Sequence, residues 1–440
     1  MSSSAQLVRA IGRWSLAALV LNTMIASGVF GLPAVIARHL GSASPWAFLV
    51  AAGGMAAIMA CFAEVASRFR ESGGPYLYAR VVFGRFAGIQ MGWLAWLVRI
   101  SAAAANASLF VAYLAEFWKQ AEEPFLRVLI LAFFLGTLAA VNYRGVSAGA
   151  GQSNLFAAAK VLALSSFVLA GGVFLLASRG SPAPVQLAAA GGASGWLEAV
   201  LLLVYAYGGF EAALIPMAEA RNPQRDAPFA LFTGLVVCTV VYTLVQVVVL
   251  GTLENAAESQ RPLADAARAF LGVKGASLIA AAGLLSLYGY MAASMLNAPR
   301  LTYALAERGD FPSFFAAVHP RFHTPHVSIA AFYVLVLALA AAGTFERIAT
   351  LSAVARLFTY GMVCSALLRL RKTEGKAPAF RLPAAPVVVA VGILFCAVLA
   401  SRMGLAEVGV VGATVALAVA NWFWVRGEPD ERPGRSSDRT

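Results

Sequence analysis

The sequence contains few charged residues and very few histidines and cysteines. Only 12% of its 440 residues are Asp, Glu, Lys or Arg, whereas 60% are hydrophobic. This composition excludes an ordinary soluble globular domain. The four histidines lie in predicted loops or, for His326, at the first residue of a predicted span, and the apolar segments contain no His-Glu-x-x-His, Asp-Asp or Ser-His arrangement. The sequence therefore does not favour an enzyme, and it predicts neither a metal site nor a cofactor.

The four cysteines also lack the spacing typical of metal binding or redox chemistry. We interpret them as small buried hydrophobic residues within apolar segments; they are Cys61, Cys238, Cys364 and Cys396. We expect no cleavable signal, because the first apolar segment is long and others follow it.

Long apolar segments dominate the chain. A hydrocarbon core about 30 Å thick requires about 20 apolar residues per helix. By this rule the sequence predicts an all-α integral membrane protein with twelve transmembrane helices and no sizeable soluble domain. The predicted spans are 14–38, 46–68, 84–117, 124–143, 152–178, 196–219, 227–252, 275–303, 326–343, 347–370, 384–401 and 404–425.

The formal net charge of +12 indicates membrane topology rather than nucleic-acid binding. With alternating spans, 21 of the 33 Lys and Arg residues lie on the side of the N-terminus, nine on the opposite side and three within spans. Such an excess of basic residues is typical of cytoplasmic loops. We therefore expect a multi-pass protein of the bacterial inner (plasma) membrane with both termini cytoplasmic. The basic loops are expected to contact anionic membrane lipids.

Two apolar segments are interrupted by small and polar residues. The first contains Ala-Ser-Gly-Val-Phe-Gly-Leu-Pro at 26–33, and the sixth contains Tyr-Ala-Tyr-Gly-Gly-Phe-Glu at 205–211. Irregular backbone is tolerated in a membrane only where it is buried in protein or lines a cavity. Transporters bind substrates at such discontinuous helices. The pattern favours a transporter, although two incidental glycine kinks in a twelve-helix protein would produce the same pattern.

The spacing of the two breaks predicts an internal repeat. Five spans separate them, and an odd number of spans inverts the second unit, so we expect 5+5 inverted repeats over about 14–178 and 196–370. Together these repeats form a ten-helix transport core over 14–370. The remaining predicted segments are a cytoplasmic N-terminus at 1–13, two further helices within 384–425 and a disordered cytoplasmic tail at 426–440.

Four motifs follow one another in an order found in a known transporter family. They are Ser-Gly-Val-Phe at 27–30, Glu-Ser-Gly-Gly-Pro-Tyr-Leu-Tyr with a later Phe-Gly within 71–84, Tyr-Gly-Gly-Phe-Glu at 207–211, and the segment 300–312. These motifs resemble those of amino acid permeases of the amino acid–polyamine–organocation superfamily, which has the LeuT-type fold. The resemblance covers about 15–370. It implies an amino acid transporter that works by alternating access.

The resemblance also implies a substrate site at the two breaks. The half-helix after Ser27 and Gly28 would present unpaired N–H groups to a substrate carboxylate, and carbonyls near Gly208 would bind its ammonium. Gly28 and Gly208 are expected to leave room for the ligand. The implied set is Ser27, Gly28 and Val29 at the carboxylate, Met24, Tyr205, Tyr207 and Gly208 at the amine and side-chain pocket, and Phe210 as an aromatic gate.

Lys160 lies within the fifth predicted span. A charged residue is costly inside a membrane and therefore indicates a functional site. In some members of the resembling family, a lysine here takes the place of a sodium ion. Burial disfavours the charged form of an amine, so Lys160 is hypothesised to load and release a proton. The alternative is that Lys160 snorkels to the inner surface.

Other ionisable and aromatic residues in the spans are open to more than one interpretation. Glu211 is either a titratable gate or a cap of the second half-helix in the sixth span. Arg99 and Arg356 are interpreted as structural. The aromatic residues expected within reach of the cavity are Trp93, Trp96, Tyr288 and Tyr290, and Tyr288 is favoured among them. Because no other acidic residue is expected in the pocket, neutral amino acids are favoured over cationic ones.

The sequence thus predicts proton-coupled symport of neutral amino acids, with the amino acid, protons and membrane lipids as partners. It makes no prediction of oligomeric state. An obligate exchanger of amino acids or polyamines is the alternative. A channel is disfavoured, because paired breaks fit alternating access better than a selectivity filter.

Overall fold

The computed structural model describes residues 11–69, 73–145, 150–177, 192–215, 219–373 and 380–426. Within these ranges the secondary structure is helical, with no β-strand. The α-helices are α1 (Arg13–Met24), α2 (Ser27–Leu40), α3 (Ser44–Arg68), α4 (Gly74–Phe83), α5 (Arg85–Leu114), α6 (Pro124–Tyr143), α7 (Ala150–Ala177), α8 (Ala193–Tyr207), α9 (Phe210–Ala213), α10 (Pro223–Thr252), α11 (Pro262–Glu307), α12 (His326–Ala342), α13 (Phe345–Thr373), α14 (Ala385–Ala400) and α15 (Leu405–Val425). Most of the predicted N-terminal segment, the predicted tail after Arg426, and Glu71 and Ser72 of the second motif lie outside the described residues.

Nine segments of the described chain are long and apolar enough to cross a membrane. One of them, Ser27–Arg68, contains both α2 and α3, whereas α12 and α14 are apolar but shorter. Large apolar side chains cover the outside of the bundle: Leu176 and Trp424 are each 84% exposed. Such a surface fits lipid contact, so the chain is a multi-pass helical membrane protein. The count of twelve spans and the inverted repeat stay predictions.

The first break lies between α1 and α2 and is shorter than the sequence suggests. Only Ile25 and Ala26 leave the helical conformation. The helix resumes at Ser27, so the later glycines and Pro33 of the predicted break lie inside α2. The glycines instead allow close packing, because a Cβ at Gly31 would lie 2.5 Å from the ring of Phe345.

The second break lies between α8 and the four-residue α9, at Gly208 and Gly209. Gly209 adopts a φ of +107°, which side chains other than glycine rarely adopt. A Cβ at this position would also collide with the carbonyl oxygen of Thr23, in the last turn of α1. The two breaks are therefore neighbours, and Gly209 is the residue that allows them to touch.

Other helices surround the paired breaks. α5 packs along α11 and α13, α13 also packs against α8, and α10 packs against α1 and α3. α14 contacts α3 and α13, while α15 contacts α5. The breaks thus lie in the middle of the bundle, with α14 and α15 packed against surrounding helices. The division into a transport core and two additional helices stays a prediction.

The helix α11 begins with a short amphipathic segment. Gly272 interrupts it with a φ of +67°. Before this kink, Leu263 and Ala266 are buried, whereas Arg268 pairs with Glu116 beyond the end of α5. The short segment therefore covers the end of the bundle opposite the basic loops.

Candidate substrate site

A cavity lies between the two breaks and the helices α5, α11 and α13. Asn22 and Thr23 at the end of α1 form one part of its wall, and Gly209 and Glu211 of the second break form the next. The polar residues contributed by the other helices are Tyr76, Arg99, Tyr290, Ser294, Asn297, Arg356 and Thr359. A few convergent polar groups in a mostly apolar cavity are typical of a small-molecule site.

The cavity continues towards the end of the bundle that carries the basic loops. Thr23, Tyr76, Arg99 and Asn297 belong both to the cavity and to this continuation, which reaches Arg308. The continuation therefore leads to the side that the charge distribution predicts to be cytoplasmic.

A buried cluster closes the opposite side of the breaks. The hydroxyl oxygens of Ser27 and Tyr205 lie 2.5 Å apart. The Oδ1 atom of Asn106 accepts the Ser27 N–H at 3.1 Å, and its Nδ2 donates to the Tyr205 hydroxyl at 3.2 Å. The cluster joins α2, α5 and α8. In this conformation Asn106 thus occupies the Ser27 N–H, which the sequence predicts to bind a substrate carboxylate.

Protein atoms occupy the space beside the two glycines of the predicted site. A Cβ at Gly28 would lie 2.8 Å from the Cα of Ala206, so α2 and α8 are in direct contact there. A Cβ at Gly208 would collide with the guanidinium of Arg356. The expectation that Gly28 and Gly208 leave room for a ligand is therefore wrong for this conformation, because helix contact and the guanidinium fill the space.

The remaining predicted substrate residues are buried around the breaks. The Tyr207 hydroxyl donates to the Phe48 carbonyl at 3.0 Å, and the Phe210 ring lies 5.0 Å from that of Phe62. Met24 and Val29 are each 2% exposed. Among the described residues that line the cavity, none belongs to the predicted substrate set. Their role as ligands stays a prediction.

Lys160 places its ammonium at the first break. Its Nζ donates to the carbonyl of Ile25 at 3.0 Å and to that of Asn22 at 3.4 Å. The last carbonyls of a helix have no partner within it, and a cation there is stabilised by the helix dipole. Lys160 is only 4% exposed, so its ammonium lies at the break rather than at the surface.

Glu211 connects the second break to α13. Its Oε2 accepts the Gly209 N–H at 2.9 Å and the Tyr360 hydroxyl at 3.1 Å. Its Oε1 lies 3.3 Å from Nε of Arg356. The contact with Gly209 is the predicted cap of the short half-helix α9. A titratable gating role for Glu211 stays a prediction.

Comparison with known proteins gives the family. The sequence pattern of the family described as "Amino acid permease" matches residues 11–423. The chain belongs to this family. This match confirms the resemblance to the amino acid–polyamine–organocation superfamily. Permeases of this family transport amino acids through the membrane.

Three relatives of the permease differ in the substrates that their names give. A methylthioribose transporter of Bacillus subtilis is 26% identical over 412 residues, which are 90% of this chain and 88% of the relative. A branched-chain amino acid permease of the same organism is 24% identical, over 92% and 90% of the two chains. Cationic amino acid transporter 4 of Mus musculus is 28% identical, over 88% and 63%.

The polar wall of the permease cavity is only partly predictable from the sequence. Arg99 and Arg356 line the cavity, although they are interpreted above as structural. Of the aromatic residues expected within reach of the cavity, Tyr290 lines it, whereas the favoured Tyr288 is 42% exposed on the outer face of α11. Tyr290, Ser294 and Asn297 recur at positions i, i+4 and i+7 of α11, so the polar stripe is readable from helical periodicity.

Two buried carboxylates connect neighbouring segments on the basic side of the permease. Asp310, which is fully buried, accepts hydrogen bonds from Arg80 and Tyr76 and pairs with Nε of Arg85 at 3.0 Å. Burial and the neighbouring Asp310 carboxylate raise the pKa of Tyr76, so the phenol stays protonated and donates. Two of the motifs that carry the family resemblance are thus joined at the mouth of the cavity.

Glu64 is the second buried carboxylate. It accepts hydrogen bonds from Arg68 at 2.8 Å, from Nε of Arg371 at 2.9 Å and from the Leu382 N–H at 2.8 Å. These contacts tie the end of α3 to α13 and to the chain that leads into α14.

On the opposite side of the permease, acidic side chains contact the end of α2. Arg38 pairs with Glu346 at 2.8 Å, and His39 lies 3.4 Å from Glu198 and 3.8 Å from Glu346. The Phe345 ring packs against Gly31 beneath them. The far side of the central cavity is therefore closed by Phe345 and by the Ser27–Tyr205–Asn106 cluster.

Proposed function

We propose that this permease carries amino acids across the plasma membrane by alternating access, and that proton loading at Lys160 couples transport to the proton gradient. The observation that carries the proposal is the contact between the Lys160 ammonium and the carbonyls of Asn22 and Ile25. With both termini in the cytoplasm, as the charge distribution favours, the continuation of the cavity leads to the cytoplasmic side.

The charge of Lys160 determines how firmly α7 holds the end of α1. An ammonium donates three hydrogen bonds, and those of a charged donor are stronger than those of a neutral amine. Loss of the proton therefore weakens the contact with Asn22 and Ile25. Asn22 also lines the cavity, and the carbonyl of its neighbour Thr23 contacts Gly209. The proton and the substrate thus act on the same segment of chain.

Alternating access requires the closed side to open. The hydrogen bonds of Ser27 with Tyr205 and Asn106 then have to break. In the opened state, the hydroxyl and the N–H of Ser27 become available to a substrate carboxylate, at the beginning of α2 and its positive dipole end. The predicted carboxylate site is consistent with a conformation that exchanges these internal hydrogen bonds for those of the substrate.

The substrate class that we propose is amino acids without a cationic side chain, which includes the neutral amino acids predicted from the sequence. Arg99 and Arg356 both line the cavity, and Glu211 is the acidic residue beside them. A second cation on the substrate would approach two guanidinium groups in a membrane interior, where like charges repel strongly.

The proposal is tested by uptake into proteoliposomes that contain no amino acid. Purified permease is supplied with labelled alanine, leucine or lysine under an acid-outside pH gradient. We expect alanine or leucine to accumulate, accumulation to collapse with a protonophore, and lysine to be excluded. Lys160→Ala should abolish gradient-driven accumulation. The matched control is Lys274→Ala, because Lys274 is an exposed lysine outside the cavity.

Two outcomes would count against the proposed coupling through Lys160. Gradient-driven accumulation that persists in Lys160→Ala would remove the lysine from the coupling mechanism. Uptake that occurs only into vesicles preloaded with amino acid would instead establish an obligate exchanger.

A further inference from the structure

Arg99 is a charged residue that lines the cavity and has no acidic partner within ion-pair distance among the described residues. It lies on α5, is partly exposed, and lines both the cavity and its continuation. Within the described part of the chain, no hydrogen bond or ion pair holds its guanidinium. An ionisable residue inside a membrane protein is costly and marks a functional site by default.

The other charges near the cavity have nearby partners. Arg356 lies 3.3 Å from Glu211, and the two charges offset each other. The Lys160 ammonium is engaged by Asn22 and Ile25. The charge of Glu211 also acts on Arg99, but one carboxylate faces two guanidinium groups, so Arg99 leaves the cavity wall with a net positive charge. A guanidinium presents five N–H donors in a planar fork that matches a carboxylate.

The walls of the cavity define the direction in which a substrate would lie. The ends of the broken helices, at Thr23 and Gly209, form one part of the wall, whereas Arg99 on α5 and Asn297 on α11 belong to another. An amino acid whose ammonium and α-carboxylate are held at the breaks would extend its side chain towards α5 and α11.

We propose that Arg99 binds a carboxylate on the substrate side chain, so that the permease prefers acidic amino acids, with aspartate or glutamate as the expected class. This inference rests on the proposed function, because it assumes that the substrate backbone lies at the breaks. It narrows the proposed substrate class from amino acids without a cationic side chain to those with a second carboxylate.

Glutamate and glutamine provide a matched pair of probes, because they have similar shapes and differ in side-chain charge. Each is used to compete with labelled alanine for uptake by the reconstituted permease. A charge-assisted hydrogen bond contributes roughly 1.5–3 kcal/mol, and 1.4 kcal/mol corresponds to about a tenfold change. We expect glutamate to compete about tenfold or more better than glutamine.

Substitutions then assign the preference to one guanidinium. Arg99→Gln should make glutamate and glutamine compete equally well with alanine. Arg99→Lys should keep part of the preference, since the charge remains but the fork is lost. Arg300→Gln is the control, because Arg300 lines the continuation but not the cavity itself, and donates to a carbonyl of its own helix. This variant should keep the preference for glutamate over glutamine.

Ligand binding to detergent-purified protein gives a second readout that does not depend on transport. Glutamate should raise the thermal stability of the wild type more than glutamine does, and Arg99→Gln should remove this difference. Alanine should stabilise both proteins equally, which shows that the variant is folded and binds amino acids.

Several results would overturn the inference. If alanine is transported and glutamate competes no better than glutamine, the proposed function stands and the acidic preference is wrong. If Arg99→Gln keeps the preference, another residue reads the carboxylate. If Arg99→Gln weakens alanine, glutamine and glutamate alike, Arg99 serves the shared α-carboxylate or the structure. If the wild type transports no amino acid in any format, the proposed function fails as well.

Discussion

The Nζ atom of Lys160 lies 3.0 Å from the carbonyl oxygen of Ile25, where the first membrane helix is interrupted. The same carbonyl end of α1 leads into the substrate cavity and touches the second break at Gly209. One titratable group is thus placed where a change in its charge reaches both broken helices.

The contact between the two breaks depends on Gly209. We expect Gly209→Ala to abolish transport, because the new Cβ collides with the Thr23 carbonyl and the φ of +107° is strained for alanine. Gly172→Ala is the control, since Gly172 has open space around its position. Initial uptake rates at matched protein levels provide the measurement. Near-normal uptake by Gly209→Ala would show that the breaks need not touch.

The closed side of the cavity depends on the packing of Phe345 against Gly31. A Cβ at Gly31 overlaps the ring, and overpacking costs about 1–3 kcal/mol. We therefore expect Gly31→Ala to favour the conformation that is open on this side. Adding Phe345→Leu to Gly31→Ala should restore the wild-type balance between the open and closed conformations.

The opening is measured with a cysteine placed at Ala102, which lines the cavity, in a background without the native cysteines. An impermeant maleimide added on the side opposite the basic loops should label this cysteine faster in Gly31→Ala and at the wild-type rate in the double variant. Equal labelling of all three proteins would contradict the assignment of Phe345 to the closure.

The carboxylate of Glu64 stabilises the basic side of the bundle. Removing one partner of a buried ion pair destabilises a protein by about 3 kcal/mol, because the remaining charge is buried without compensation. Glu64→Gln should therefore lower the thermal unfolding temperature in detergent. Glu254→Gln, at an exposed position, should leave that temperature unchanged. If Glu64→Gln unfolds at the wild-type temperature, the contacts of the Glu64 carboxylate with Arg68 and Arg371 do not stabilise the fold.

The existence of both helix breaks is predictable from sequence, whereas their extent is not. Small and polar residues in an apolar segment indicate irregular backbone, and Gly208 and Gly209 do interrupt the sixth segment. In the first segment, similar residues lie inside α2, since Gly28 and Gly31 serve close packing. Composition alone does not distinguish a glycine that unwinds a helix from one that admits a neighbour.

The cavity illustrates a second limit of reasoning from sequence. Lys160 stands out because a charge is rare within a membrane span, and the structure places it at a break. Asn106 does not stand out, although it satisfies the N–H of Ser27. Its partners lie 79 and 99 positions away along the chain, so the contact depends on how α2, α5 and α8 pack together.

The most direct test of proton coupling is the proton flux that accompanies amino acid uptake. Proteoliposomes with an enclosed pH-sensitive dye are exposed to a transported amino acid at zero initial pH gradient. Proton symport predicts that the wild type acidifies the vesicle interior as the amino acid enters, and that Lys160→Ala admits the amino acid without a pH change. Acidification by Lys160→Ala, or amino acid entry without acidification by the wild type, would contradict Lys160 as the coupling residue.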